Sequence, residues 1–282
     1  MRLELRDLTL TYGEVVALRQ VSVCLEGRVI GVLGANASGK TSMLKILAGI
    51  LRATEGHVFI DGEEISQGKK AWISYLPQET GFFPFFQHPR QTLSASLLLR
   101  GIVNPDAPRV VLAALGLEED ERSAEGFSGG MKQKLRIAQA LIHAPRVLLL
   151  DEPTVGLDAR ERYRILRLID RLRGRVSVVF ATHQPDDAAA VCDELLVLHH
   201  GRLVALGRPT ELIAKAEGQV FEVLINSPTL PDDSRYELVR AERRGENLRL
   251  RVVGEPPIGA REVPPSMEDA YILLTRRPRG YH

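Results

Sequence analysis

The segment Gly34-Ala35-Asn36-Ala37-Ser38-Gly39-Lys40-Thr41 constrains this chain more than any other, because it fits G-x-x-x-x-G-K-[ST] in a strand-to-helix setting. Before it, Val29-Ile30-Gly31-Val32-Leu33 is a compact apolar run of the kind buried in a sheet. After it, Met43, Leu44, Ile46, Leu47 and Ile50 recur at helical spacing. A loop in that position captures anions, since its own N–H groups and those of the helix N-terminus converge on phosphate. Lys40 adds a mobile cation for β- and γ-phosphates, and the Thr41 hydroxyl is a candidate ligand for Mg²⁺.

A second apolar strand, Val147-Leu148-Leu149-Leu150, runs directly into Asp151-Glu152. Carboxylates at the carboxyl end of a buried strand sit where α/β sheets bind ligands. Asp151 is placed to hold Mg²⁺ through water, and Glu152 to polarise an attacking water as general base. Together the loop and the acids describe a P-loop nucleoside triphosphatase.

The surrounding pattern agrees. Strands are expected at 15–25, 58–60, 72–76, 176–181, 194–198 and 202–206, with helices at about 160–173 and 185–192. Residues from about 83 to 141 lack strand alternation and read as mostly helical, broken by Pro105 and Pro108. Alternating strands and helices predict a largely parallel sheet covered on both faces. After about residue 217 the pattern changes to short alternating strands at 220–225, 236–241 and 248–253, and Ser266 then opens a short helix. The expected division is therefore 1–217 for the main domain and 218–282 for a small β-rich accessory domain ending in a helix.

Composition narrows the function classes. Lys+Arg is 37 and Asp+Glu is 36, a net charge of +1 that argues against phosphate neutralisation by bulk basicity. Cys24 and Cys192 are too few for a disulfide framework or a four-cysteine zinc site, and both are expected as buried small apolar residues. The charged start Met1-Arg2-Leu3-Glu4-Leu5-Arg6-Asp7 is unlike a signal peptide, and no run approaches the roughly 18 apolar residues of a membrane span. His199-His200 precede a glycine turn without an evident third ligand, and Arg240-Ala241-Glu242-Arg243-Arg244 reads as a solvated face of mixed sign.

Upstream of the acidic strand lies Phe127-Ser128-Gly129-Gly130-Met131-Lys132-Gln133. Ser-Gly-Gly alone suits any helix start. Here it is followed by a helical pattern and then the Asp151-Glu152 strand, and so resembles the LSGGQ signature of ABC ATPases, with Phe for Leu and Met for the final Gln. Four further matches fall in the family's order. Tyr12 stands where the family stacks an aromatic ring on adenine. Gln78, in Tyr75-Leu76-Pro77-Gln78, matches the Q-loop glutamine near Mg²⁺ and the γ-phosphate. Gly156-Leu157-Asp158 matches the D-loop, and His183 the switch histidine.

The resemblance implies an ABC-type ATPase core with an antiparallel β subdomain and a helical subdomain at about 83–141. It implies ATP and Mg²⁺ as cofactors. The catalytic set is Lys40, Gln78, Glu152 and His183, and the metal set Thr41, Gln78 and Asp151. Nucleotide contacts come from Tyr12, Gly34, Asn36, Ala37, Ser38, Gly39, Lys40, Thr41 and Ser42, with Ser128, Gly129 and Gly130 offered to the nucleotide of an opposing copy or paralogue. Ala37 departs from the glycine common at its position, and an αL conformation there costs about 1 kcal/mol.

The form Ser-Gly-Gly-Met-Lys and the tail Pro265-Ser266-Met267-Glu268-Asp269-Ala270-Tyr271 resemble ATP-binding subunits of ABC-2 type exporters. That branch implies a separate ABC-2 type membrane permease, with this chain cytoplasmic and peripheral at the membrane's cytoplasmic face. The tail helix could equally serve simple packing. Phe82-Phe83-Pro84-Phe85-Phe86 holds four of the 8 phenylalanines and has two readings, a local core or an aromatic pocket for a partner helix. The rival class, a soluble ABC ATPase of nucleic-acid or translation work, would call for coiled-coil heptads, zinc-module cysteines or a second cassette. This sequence has none of these.

Overall fold

Strand alternation sorts the apolar residues of the phosphate-loop region onto two opposite faces, and the computed structural model shows what each face covers. It describes residues 1–68, 70–78, 88–117, 123, 126–227, 229–231 and 235–276. The chain begins β1 (Arg2–Tyr12), β2 (Val15–Glu26), β3 (Val29–Gly34), α1 (Lys40–Leu47), β4 (Glu55–Ile60), β5 (Glu63–Glu64) and β6 (Ile73–Leu76). The helical stretch supplies α2 (Pro89–Leu98), α3 (Ala107–Ala114) and α4 (Gly129–Leu141). Then follow β7 (Val147–Asp151), α5 (Ala159–Leu172), β8 (Ser177–Thr182), α6 (Pro185–Val191), β9 (Glu194–His199), β10 (Arg202–Gly207) and α7 (Pro209–Ala214). The last part holds β11 (Val220–Asn226), β12 (Tyr236–Arg244), β13 (Asn247–Gly254), β14 (Arg261–Glu262) and α8 (Met267–Thr275).

The central sheet has the order β10-β9-β3-β8-β7-β6. All neighbours from β9 to β6 are parallel, and only β10 is antiparallel. Val29, Leu33, Leu148, Leu150, Val178 and Phe180 face a core shared with α2 to α7. Ile30, Val32, Val147, Leu149, Val179 and Ala181 face a second core with Met43, Leu44 and Leu47 of α1 and the leucines of β1. Burial on both faces is why these strands read as continuous apolar runs. A four-stranded antiparallel sheet, β2-β1-β4-β5, closes the second core.

The third sheet, β12-β13-β11-β14, is antiparallel and has its own small core around Val223, Tyr236, Leu248, Leu250 and Val252. Ser266 starts α8 as expected: its hydroxyl accepts from Asp269 N at 3.3 Å, while the Asp269 carboxylate accepts from Ser266 N at 2.6 Å. Met267 of α8, 1% exposed, packs into the first core with Tyr271 and Leu274 beside it. Ala270 packs with Val220 and Val253 of the third sheet, so one short helix touches both units.

Several sequence expectations are corrected. β1 was unforeseen because its leucines break step: Leu3 and Leu5, then Leu8 and Leu10, are buried across register shifts beside Asp7 at φ 48°. The α1 helix stops at Leu47, not Ile50, since Gly49 turns at φ 68° and Ile50 is exposed. Pro108 sits in the first turn of α3 and starts it instead of breaking a helix. The short α7 was not anticipated. Cys24 is exposed, not buried, because on β2 it faces outward; Cys192 is buried as expected. The Phe82–Phe86 cluster lies outside the described residues.

Candidate nucleotide site

The phosphate loop leaves the carboxyl end of β3 and enters α1 through Gly39 at φ 103°. A Cβ there would meet the Ala17 carbonyl oxygen at 2.5 Å, so position 39 requires glycine twice over, by conformation and by space. The turn after β9 pins the loop, with Gly201 N donating to Ser38 O at 3.1 Å. Ala37 adopts φ 62°, the left-handed conformation that its departure from glycine put in question. An αL alanine costs about 1–2 kcal/mol, while the freer unfolded chain of a glycine variant gives back roughly 0.4–1. Ala37→Gly is therefore expected to stabilise by about 0.5–1 kcal/mol with ATPase activity kept, read by urea unfolding. A wild-type rate near zero that recovers in Ala37→Gly would contradict this.

Lys40 is buried, with two hydrogen bonds and one ion pair at its ammonium. Nζ donates to Gly34 O at 2.8 Å and Ala35 O at 3.0 Å, and pairs with Glu152 Oε1 at 3.1 Å. Glu152 is the first residue after β7 and has φ 50°, a turn that swings its carboxylate toward the loop. Its Oε2 accepts from His183, at 2.9 Å from Nδ1 and 3.3 Å from the backbone N. Gln184 Nε2 lies 3.1 Å from His183 Nε2, which completes a tautomer with the proton on Nδ1. Lys40, Glu152 and His183 thus form one chain, buried at the lysine and the glutamate and half-buried at the histidine.

Asp151, 1% exposed, ends β7 beside them. Tyr75 on β6 donates its hydroxyl to Oδ2 at 3.1 Å, and burial pushes the phenol above its ordinary range. Burial raises the Asp151 carboxyl too, opposed by the hydroxyls of Thr41 and Tyr75. Oδ1 is buried without a hydrogen-bond donor. A dry carboxylate oxygen beside a threonine hydroxyl is a hard-oxygen donor set that fits Mg²⁺. Among the described residues no three His, Cys, Asp or Glu side chains cluster as a metal site. Gln78 follows β6 with its side chain exposed.

Tyr12 is exposed at the end of β1, its hydroxyl 3.3 Å from Ser42 Oγ in the first turn of α1. That places an open ring beside the loop. The Ser128 hydroxyl caps α4 by accepting from Met131 N at 3.3 Å. A Cβ on Gly130 would lie 1.8 Å from the Glu161 carboxylate of α5, so a side chain there requires Glu161 to swing aside. Among the described residues no hydrogen bond or ion pair joins Ser128, Gly129 or Gly130 to Lys40, Glu152 or His183 within the chain.

Two contributors were missed in the sequence. Tyr75 was quoted only as part of the Q-loop context, and a tyrosine 76 residues from the acid it meets on a neighbouring strand gives no local signal. Asp187, 1% exposed on α6, accepts from Thr154 Oγ1 at 2.8 Å and Arg162 Nε at 2.5 Å, tying the segment after Glu152 to the segment after His183.

A phosphate loop at the end of β3 and paired acids at the end of β7 of one parallel sheet define a P-loop nucleoside triphosphatase. The helical stretch between β6 and β7 and the antiparallel sheet over α1 narrow the class. The family described as ABC transporter matches residues 18–155. Nod factor export ATP-binding protein I of Paraburkholderia xenovorans (strain LB400) is 32% identical over 95% of this chain and 94% of its own length. An energy-coupling factor transporter ATP-binding protein of Bacillus subtilis (strain 168) is 35% identical over 72% of this chain and 80% of its own. A dimeric ATP-binding cassette solved in a post-hydrolysis state with ADP and Pi has a TM-score of 0.64 at 25% identity, covering 73% of this chain and 98% of that one. The chain belongs to the ATP-binding subunits of ABC transporters, ATPases that drive transport.

Proposed function

We propose that this chain hydrolyses ATP in two composite sites of a head-to-tail dimer and so drives export through a separate ABC-2 type permease. The carrying observation is the chain Lys40–Glu152–His183, buried at its first two members, which gathers a cation, a carboxylate and an imidazole yet supplies charge from one side only. Phosphoryl transfer needs stabilisation around the whole γ-phosphate. The capped N-terminus of α4, with Ser128, Gly129 and Gly130, is free of the chain's own loop and suits the opposite side of a phosphate held by a second copy or paralogue.

In this reading Lys40 exchanges Glu152 for the β- and γ-phosphates, leaving the carboxylate to orient and deprotonate the attacking water. His183 then contacts the γ-phosphate, and Tyr12 stacks on adenine. Thr41, Asp151 and Gln78 would hold Mg²⁺, which supplies charge neutralisation between the phosphates when bound. Tyr75 keeps the Asp151 carboxylate oriented.

Export is favoured over import by where the likeness extends. The Nod factor export protein aligns over 95% of the chain, whereas the energy-coupling factor protein aligns over 72%. A permease contact is supported by Leu98, Leu99, Ile102, Val103 and Val110, which are exposed together around the end of α2 and the start of α3. Among the described residues no helix is long and apolar enough to cross a membrane. In this reading the permease does the spanning and this chain sits at its cytoplasmic face.

The test is co-expression with a neighbouring gene product of about six apolar spans. ATPase activity is expected to rise on assembly with it in vesicles. Leu99→Asp with Val103→Asp is expected to remove that rise by about tenfold or more while leaving turnover of the isolated subunit within about twofold. Equal loss in both settings would reject the docking role.

A further inference from the structure

One buried guanidinium joins two parts of the site that serve different nucleotides. Arg136 is 7% exposed on α4, among the core residues Leu135, Ile137 and Ala138. Its Nη2 donates to the carbonyl oxygen of Pro77 at 2.6 Å, and its Nη1 donates to Gln133 Oε1 at 2.8 Å. Pro77 is the residue before Gln78, and α4 begins at the Ser128 cap. A planar, always charged group thus spans from the signature helix to the backbone of the Q-loop segment.

Arginine is a poor choice for packing at such a place. Burial lowers its affinity for the proton, and a hydrophobic side chain of similar volume is often as stabilising as a buried charge or more so. What arginine provides here and methionine would not is a stiff, directional tie to one carbonyl.

We propose that Arg136 is the positioning residue that couples the two composite sites. It fixes the Gln78 segment, which faces the nucleotide on this copy's Lys40, to α4, whose Ser128-Gly129-Gly130 end faces the nucleotide on the other copy. Any shift of the Gln78 segment on ATP binding then moves α4 as well. The coupling rests on the composite-site reading above.

The experiment uses the full chain carrying Arg136→Met, alone and combined with Glu152→Gln. Glu152→Gln alone must first give an ATP-dependent dimer on size-exclusion chromatography; its absence rejects the composite reading and leaves no coupling to measure. With that dimer in hand, Arg136→Met is expected to raise the ATP concentration for half-dimerisation about tenfold, equivalent to about 1.4 kcal/mol. In the Glu152-intact background it is expected to lower the Hill coefficient of ATP hydrolysis toward unity. ADP binding to the monomer, measured by calorimetry, is expected to stay within about twofold. Arg136→Lys, which keeps a charged donor but not the planar fork, is expected to restore only part of the cooperativity. Should Arg136→Met fail to fold, Arg136→Gln, too short to reach Pro77, gives the same readout. Wild-type dimerisation and Hill coefficient in these variants, or a parallel loss of ADP affinity with cooperativity unchanged, would overturn the proposal.

Discussion

Glu152→Gln is expected to lower ATP turnover by about 10²–10⁴-fold, the range for removing a general base, while binding ATP more tightly than the wild type. The two effects have one cause. The carboxylate lies 3.1 Å from Lys40 Nζ and 2.9 Å from His183 Nδ1, so it competes with phosphate for the same cation. An amide of equal size keeps the volume and can still accept from His183, but it no longer pairs with the ammonium. Lys40 then has only the carbonyls of Gly34 and Ala35 to leave when phosphate arrives. ATP that is bound and not cleaved should hold two copies together. Size-exclusion chromatography coupled to light scattering, with and without Mg·ATP, reads this directly. A mutant that stays monomeric with ATP bound would refute the shared site, and one that turns over at the wild-type rate would refute the role of Glu152.

The sequence made the loop, the acidic strand and their helices legible because each depends on local chemistry. Gly39 is dictated by a backbone angle and a neighbouring carbonyl, and Asp151 and Glu152 by the end of an apolar strand. The gaps have an equally physical origin. β1 was hidden because a bulge at Asp7 resets its alternation midway, so no single period fits. The internal organisation of the site was hidden because its contacts join residues far apart in the chain. Lys40 meets Glu152, Tyr75 meets Asp151 and Arg136 meets Pro77 only once the sheet order is set. Motif order told which residues gather. It could not tell that the loop lysine and the strand-end glutamate pair with each other.

That mutual satisfaction makes Lys40→Ala a change of two kinds. The first is loss of binding: a positioned cation on the β- and γ-phosphates contributes charge-assisted hydrogen bonds, and losing it is expected to weaken ATP binding by at least about 100-fold. The second appears with no nucleotide present. Lys40 and Glu152 are 5% and 2% exposed at their side chains, so solvent screens the pair little. Removing the ammonium strands a carboxylate in a dry site with His183 as its remaining partner, and breaking a buried pair from one side costs about 3–5 kcal/mol. Removing the carboxylate instead should cost less, since Lys40 keeps its two carbonyl acceptors. The double variant Lys40→Ala with Glu152→Gln should therefore be more stable than Lys40→Ala alone, a rescue of about 2 kcal/mol or more in a double-mutant cycle. Urea unfolding of the four proteins in nucleotide-free buffer measures it. Additive losses would mean the two side chains do not neutralise each other in the resting subunit, and ATP would then find Lys40 already free.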